Sequence, residues 1–163
     1  MRAVSDTSPI SALAYIGRLS LLKSQFSDIW IPTAVSEELH LHPSEAAITA
    51  IQSAIREGWI RPASTPISPL LSVLMLHLHR GEAEAIALAA EIKADTVLID
   101  EQEARKFAAQ AGLSVTGVLG ILLRAKLMGA IPALKPEIQS LRAKARFFIA
   151  RAVEAAILSA AGE

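Results

Sequence analysis

The stretch TVLID, residues 96–100, limits what this chain can fold into more than any other. It is apolar and β-branched, without the in–out alternation of a strand that has one wet face. Both of its faces must therefore be covered, as in a buried parallel sheet. It passes directly into EQEARKFAAQAG, a helical pattern that Gly112 closes. The same handover recurs along the chain. RAVS leads into SPISALAYIGRLSLLKSQF, read as two short helices parted at Gly17, and DIWIP leads into TAVSEELHLH, which ends before Pro43. PSEAAITAIQSAIREG is a further helix, WIRPAS a weak strand and LSVTG a short one. STPISP is the most loop-like stretch, followed by helical patterns in LLSVLMLHLHR and GEAEAIALAAEIKA, with VLGILLRAKLMG a helix ending at Gly129. Strands alternating with helices predict an α/β fold: a three-layer α/β/α sandwich around a central parallel sheet. PEIQSLRAKARFFIARAVEAAILSAAG predicts one long C-terminal helix started by Pro136. The expected organisation is thus a domain over residues 1–135 and a helical extension over 136–163, packed on that domain or on a partner.

Composition removes several function classes. With 163 residues and 52% hydrophobic content, the chain can bury a real core, and wholesale disorder is excluded. There is no cysteine, so disulfides, thiolate metal sites and cysteine nucleophiles are out. No apolar run approaches bilayer length, and no signal-type segment opens the chain, so a cytoplasmic protein without membrane contact is expected. Sixteen basic residues balance sixteen acidic ones, which argues against nonspecific coating of nucleic acid. The basic residues are unevenly placed, however: Arg142, Lys144, Arg146 and Arg151 cluster near the end.

The acidic residues fall in informative places. Asp6 ends the first strand and Asp100 the clearest one, so a parallel sheet brings both to the same edge, where ligands of open α/β sheets bind. Each also stands where a carboxylate can cap the following helix. In TAVSEELHLH, Val35 and Leu39 mark the buried stripe. At about 100° per residue Glu38 borders that stripe and Glu37 points to solvent. Glu82 and Glu84 occupy the first turn of an otherwise apolar helix, where the dipole favours them. Thr7 and Ser8, at a helix start, are caps or phosphate receivers. His40, His42, His77 and His79 form two H-x-H pairs, but residues two apart on a helix face different ways and chelate poorly.

These stretches, VSDTSPISAL, IPTAVSEEL, GEAEAIALA and LIDEQEARKFAAQAGLSVTGVLGILLRAK, resemble in order those of PIN-domain proteins. The resemblance is to the bacterial branch related to toxins of toxin–antitoxin pairs, and it covers most of residues 1–130. It implies a ribonuclease that cleaves single-stranded RNA with Mg2+ or Mn2+ held by acidic side chains. Carried over, the catalytic and metal-binding set is Asp6, Glu38, Glu84 and Asp100, with Glu82 competing for the third place and Glu101 beside the fourth. The third position is glutamate where many toxin members carry aspartate. The resemblance also implies a homodimer and a cognate antitoxin partner; Phe147, Phe148, Ile149, Val153, Ile157 and Leu158 are the candidate surface. The competing reading is a non-catalytic PIN-like module that binds RNA or a partner protein. A receiver-like phosphorylation switch ranks below both, because Asp6 lacks an acidic neighbour.

Overall fold

The computed structural model describes residues 1–163. Along the chain run β1 (Arg2–Ser5), α1 (Thr7–Tyr15), α2 (Ser20–Gln25), β2 (Asp28–Pro32), α3 (Thr33–His40), α4 (Glu45–Arg56) and β3 (Ile60–Ala63). The second half holds α5 (Pro69–Leu74), α6 (Arg80–Glu91), β4 (Thr96–Leu98), α7 (Gln102–Gln110), β5 (Val115–Thr116), α8 (Val118–Leu127), α9 (Lys135–Ala145) and α10 (Arg151–Ala161). The expected break between the first two helices falls at Gly17, whose φ of 71° is a left-handed conformation that costs glycine nothing. Ser44 and Ser68 open α4 and α5 by accepting the amides of Ala47 and Leu71.

The five strands form one sheet in the order β3-β2-β1-β4-β5, and every pair is parallel. The strands bear out the two-faced burial read from TVLID. Val97 and Ile99 enter the core packed under α5, α6 and α7, while Leu98 enters the larger core on the opposite face. In β1, Val4 and Ala3 divide in the same way. The chain builds outward from β1 to β3, then returns to place β4 on the other side of β1. The order therefore reverses between β1 and β4, the point at which an open α/β sheet forms a crevice at its carboxyl edge. Ser5 pairs with Leu98 there, and the Asp6 amide donates to the Leu98 carbonyl at 3.0 Å. Asp6 is thus the first residue past β1 and Asp100 the second past β4, on either side of the reversal.

The C-terminus corrects one expectation. The single long helix is two, α9 and α10, separated by the non-helical residues 146–150. Arg146 turns into the left-handed region at φ 51°, and the Phe147 amide donates to the Leu141 carbonyl at 3.1 Å. The break buries Ile149 in the larger core, alongside Leu134, Ile138 and Leu141 of the α9 region. The burial of Ile149 offsets part of the cost of the helical hydrogen bonds given up. Polar ties hold the arrangement. Arg18 grips the buried Glu137 through both carboxylate oxygens, at 2.6–3.1 Å. The Glu163 carboxylate accepts the Leu134 and Lys135 amides and so closes the free start of α9.

Candidate functional site

The crevice at the reversal opens into a solvent-connected cleft of about 650 Å³, and Asp6, Glu38 and Glu82 line it. Asp6 holds the N-cap position of α1, yet its side chain makes no capping bond there. It is 6% exposed and turned toward the other carboxylates. Burial pushes the Asp6 carboxyl up to about 7; the charges of Glu82, Glu38 and Asp100 add to this, and the Thr7 amide opposes it. Glu38 reaches the cleft from α3, where the Thr7 hydroxyl donates to its Oε2. Glu37 lies outside the cleft and pairs with Arg80 at 3.3 Å, as the helical stripe predicts.

Gly81 explains how two carboxylates meet beneath α6. A Cβ on Gly81 would lie 3.0 Å from Glu38 Oε1 and 3.3 Å from Asp6 Oδ1. A glycine lets the helix backbone close over both groups, where any side chain would crowd them. RGEAEA carries that glycine in plain view, but its role needs the neighbouring elements and was not legible from the sequence.

The two glutamates of α6 separate in role. Glu82 lines the cleft, and its Oε2 accepts the His79 amide at 3.1 Å, closing the start of α6. Its carboxyl is raised first by burial, then by the charges of Glu101 and Glu38, while the His79 contacts oppose the rise. Glu84, the residue carried over as the third acidic position, does not line the cleft. Its Oε1 takes Arg80 Nε at 2.7 Å and its Oε2 the Ala34 amide at 3.1 Å. Glu84 therefore braces the start of α3 against α6, a job the sequence did not reveal.

Asp100 is also partly committed. Its Oδ1 accepts the Val118 amide at 2.8 Å and its Oδ2 the Ser8 hydroxyl at 3.1 Å, so it ties β4 to the starts of α8 and α1. Burial raises its carboxyl, against the Val118 amide, Ser8 and the Arg105 guanidinium. A Cβ on Gly117 would come within 2.5 Å of Asp100 Oδ1, so glycine is required there by contact. Asp100 faces a second cavity rather than the cleft itself. Glu101 caps α7 through the Ala104 amide at 2.7 Å. The Thr7 and Ser8 hydroxyls, expected as caps or phosphate receivers, instead hold Glu38 and Asp100.

The histidines scatter, as their spacing predicts. His42 is buried with its ring 4.5 Å from that of Tyr15, and its Nδ1 accepts the Ser44 amide. His77 stacks on Phe107, His40 bonds the Ser36 carbonyl, and His79 stands at the cleft rim. As the side chains stand, no group of three or more His, Asp or Glu residues is drawn together tightly enough to hold an ion. Asp6 and Glu38 form the converging pair, with Glu82 across the cleft.

The sheet is all parallel, and acidic residues gather at its carboxyl edge. The PIN domain family model matches residues 2–163, and the chain belongs to the PIN-domain family. Among solved structures it is similar to a PilT N-terminus domain protein from the hyperthermophilic archaeon Sulfolobus solfataricus P2. The identity is 21%, with 77% of this chain and 93% of that one covered, at a TM-score of 0.55. No curated protein matches the chain. PIN domains are generally nucleases and typically depend on a divalent metal, and no helix here is long and apolar enough to cross a membrane.

Proposed function

We propose that this protein is a ribonuclease that hydrolyses phosphodiester bonds of single-stranded RNA with Mg2+ or Mn2+, and that it is the toxin of a toxin–antitoxin pair. The observation that carries the reading is the convergence of Asp6 and Glu38 under Gly81, with Glu82 facing them across an open cleft. The donor set fits a hard divalent cation. It consists of carboxylate oxygens, which such cations prefer, and it is under electrostatic strain that a cation relieves. Asp6 and Glu38 are the direct holders in this reading, and Glu82, across the cleft, joins them only by swinging inward. Asp100 supports the group from behind through Ser8, and Glu84 keeps α3 and α6 in place. A cation held there supplies a Lewis acid for the phosphate oxygens and lowers the pKa of a bound water.

The chain's own residues set up the rest. The Thr7 hydroxyl orients Glu38, and the Ser8 hydroxyl fixes the distance between the starts of α1 and α8. The cleft is open to solvent on one side, as a polymer substrate requires. A partner surface is supported by Ile67, Val73, Met75 and Leu76, large apolar side chains left between 46% and 94% exposed around α5. That patch suits the expected homodimer or antitoxin contact better than the C-terminal helices, whose Ile149, Ile157 and Leu158 pack on the parent core.

The test is cleavage of a labelled single-stranded RNA by the purified chain with manganese, against the same reaction with chelator. Asp6→Asn is expected to abolish the metal-dependent cleavage. Cleavage equal to the parent's would overturn the site. Absence of cleavage by the parent with manganese, and again with magnesium in its place, would favour the non-catalytic binding module.

A further inference from the structure

The basic and aromatic stretch near the C-terminus is not used by the carboxylate site, yet the fold lays it directly beside that site. Residues 146–150 form a strap held at both ends. Phe147 is bonded to Leu141, Arg142 reaches the Ile149 carbonyl at 3.2 Å, and Arg142 also pairs with Glu154. Phe147 lines the carboxylate cleft on one side and the second cavity, of about 550 Å³, on the other. One wall of that cavity is polar, with Asp100, Gln102, Arg105 and Thr116, and the other is apolar, with Phe148 and Val153. Phe148 is 88% exposed, the one exposed aromatic residue of the chain. Lys144, Arg146 and Arg151 are exposed and none of them enters an ion pair.

We propose that this strap is the arm that binds a single strand of nucleic acid. A base stacks on Phe148 at the mouth of the second cavity, and the backbone runs past Phe147 toward the carboxylates. The inference rests on the nuclease reading of the cleft. A cleft lined by carboxylates repels a polyanion, and a chain of zero net charge has no general field to overcome that. Affinity must then come from local cations and from stacking, which together are how single strands are held without sequence preference. The strap supplies both. Lys144, Arg146 and Arg151 take phosphates, Phe148 offers a π-face, and Gln102 and Arg105 present donors to a base edge or phosphate in the same cavity. An aromatic set among unpaired cations favours nucleic acid over an apolar protein partner.

The experiment measures fluorescence anisotropy of a labelled single-stranded RNA of about twelve nucleotides with the full chain in chelator, so that no cleavage enters. Phe148→Ala is expected to weaken binding about tenfold, and Phe148→Trp to retain it. Thermal melting checks that Phe148→Ala leaves the fold intact. Arg146→Gln and Arg151→Gln are each expected to lower the slope of log affinity against log salt by about 0.7. RNA binding by Phe148→Ala equal to the parent's overturns the proposal even where the parent cleaves RNA. Loss of self-association in Phe148→Ala, with RNA binding unchanged, overturns it in favour of a protein interface. A parent that binds RNA through Phe148 but cuts nothing with manganese upholds the arm and removes the nuclease reading instead.

Discussion

Asp6→Asn is the most informative single perturbation, because its effect on stability is separable from its effect on chemistry. The Asp6 carboxyl stands at about 7 in the fold against an ordinary value of 3.8. Below pH 3.8 the group is protonated in both folded and unfolded chains and costs nothing. Between there and about 7 the unfolded chain ionises while the fold keeps its proton, so stability falls as pH rises. Each unit is worth about 1.4 kcal/mol, so the loss reaches about 4 kcal/mol once the folded group has ionised. Asn cannot ionise and lacks this slope. Urea unfolding in chelator, from pH 5 to pH 8.5, is expected to show the variant gaining on the parent by about 2–3 kcal/mol across that range. A cation reverses the balance. Manganese at about a hundred times its dissociation constant is expected to stabilise the parent by about 2.7 kcal/mol at pH 8 and the variant much less. Parallel stability curves for the two proteins, with equal response to manganese, would refute the reasoning that Asp6 is a desolvated, cation-seeking carboxylate.

Glu82→Gln and Glu84→Gln should part company: the first is expected to impair cleavage with little loss of stability, the second to lower stability by about 1–3 kcal/mol because Arg80 and the Ala34 amide lose a buried charged acceptor. Melting curves beside RNA cleavage rates read the difference. Glu38→Gln is expected to lower cleavage at least tenfold and Glu37→Gln less than twofold, since only Glu38 lines the cleft; equal effects in the cleavage assay count against the site. Gly81→Ala should leave stability within about 1 kcal/mol of the parent, the helix propensity of Ala balancing the crowding, while displacing Glu38 and Asp6 and cutting manganese-dependent activity at least tenfold.

Much of the fold was legible because its signals are local. TVLID is apolar on both faces wherever it is read, and the helix start at Ser44 follows from chemistry within three residues. Asp6 and Asp100 could be placed at strand ends for the same reason, and a parallel sheet then sends both to one edge. The docking of elements on one another decided what followed. Glu82 and Glu84 lie two residues apart near the start of α6, roughly 200° apart around the helix, and nothing in RGEAEA says which side meets the cleft. Only the seating of α6 against α3 and β1 puts Glu82 in the cleft and leaves Glu84 bonded to Arg80 and Ala34. The division of PEIQSLRAKARFFIARAVEAAILSAAG into α9 and α10 is likewise invisible to periodicity. The break lets Ile149 bury in a core built by distant residues, and those neighbours exist only once the chain has folded around it.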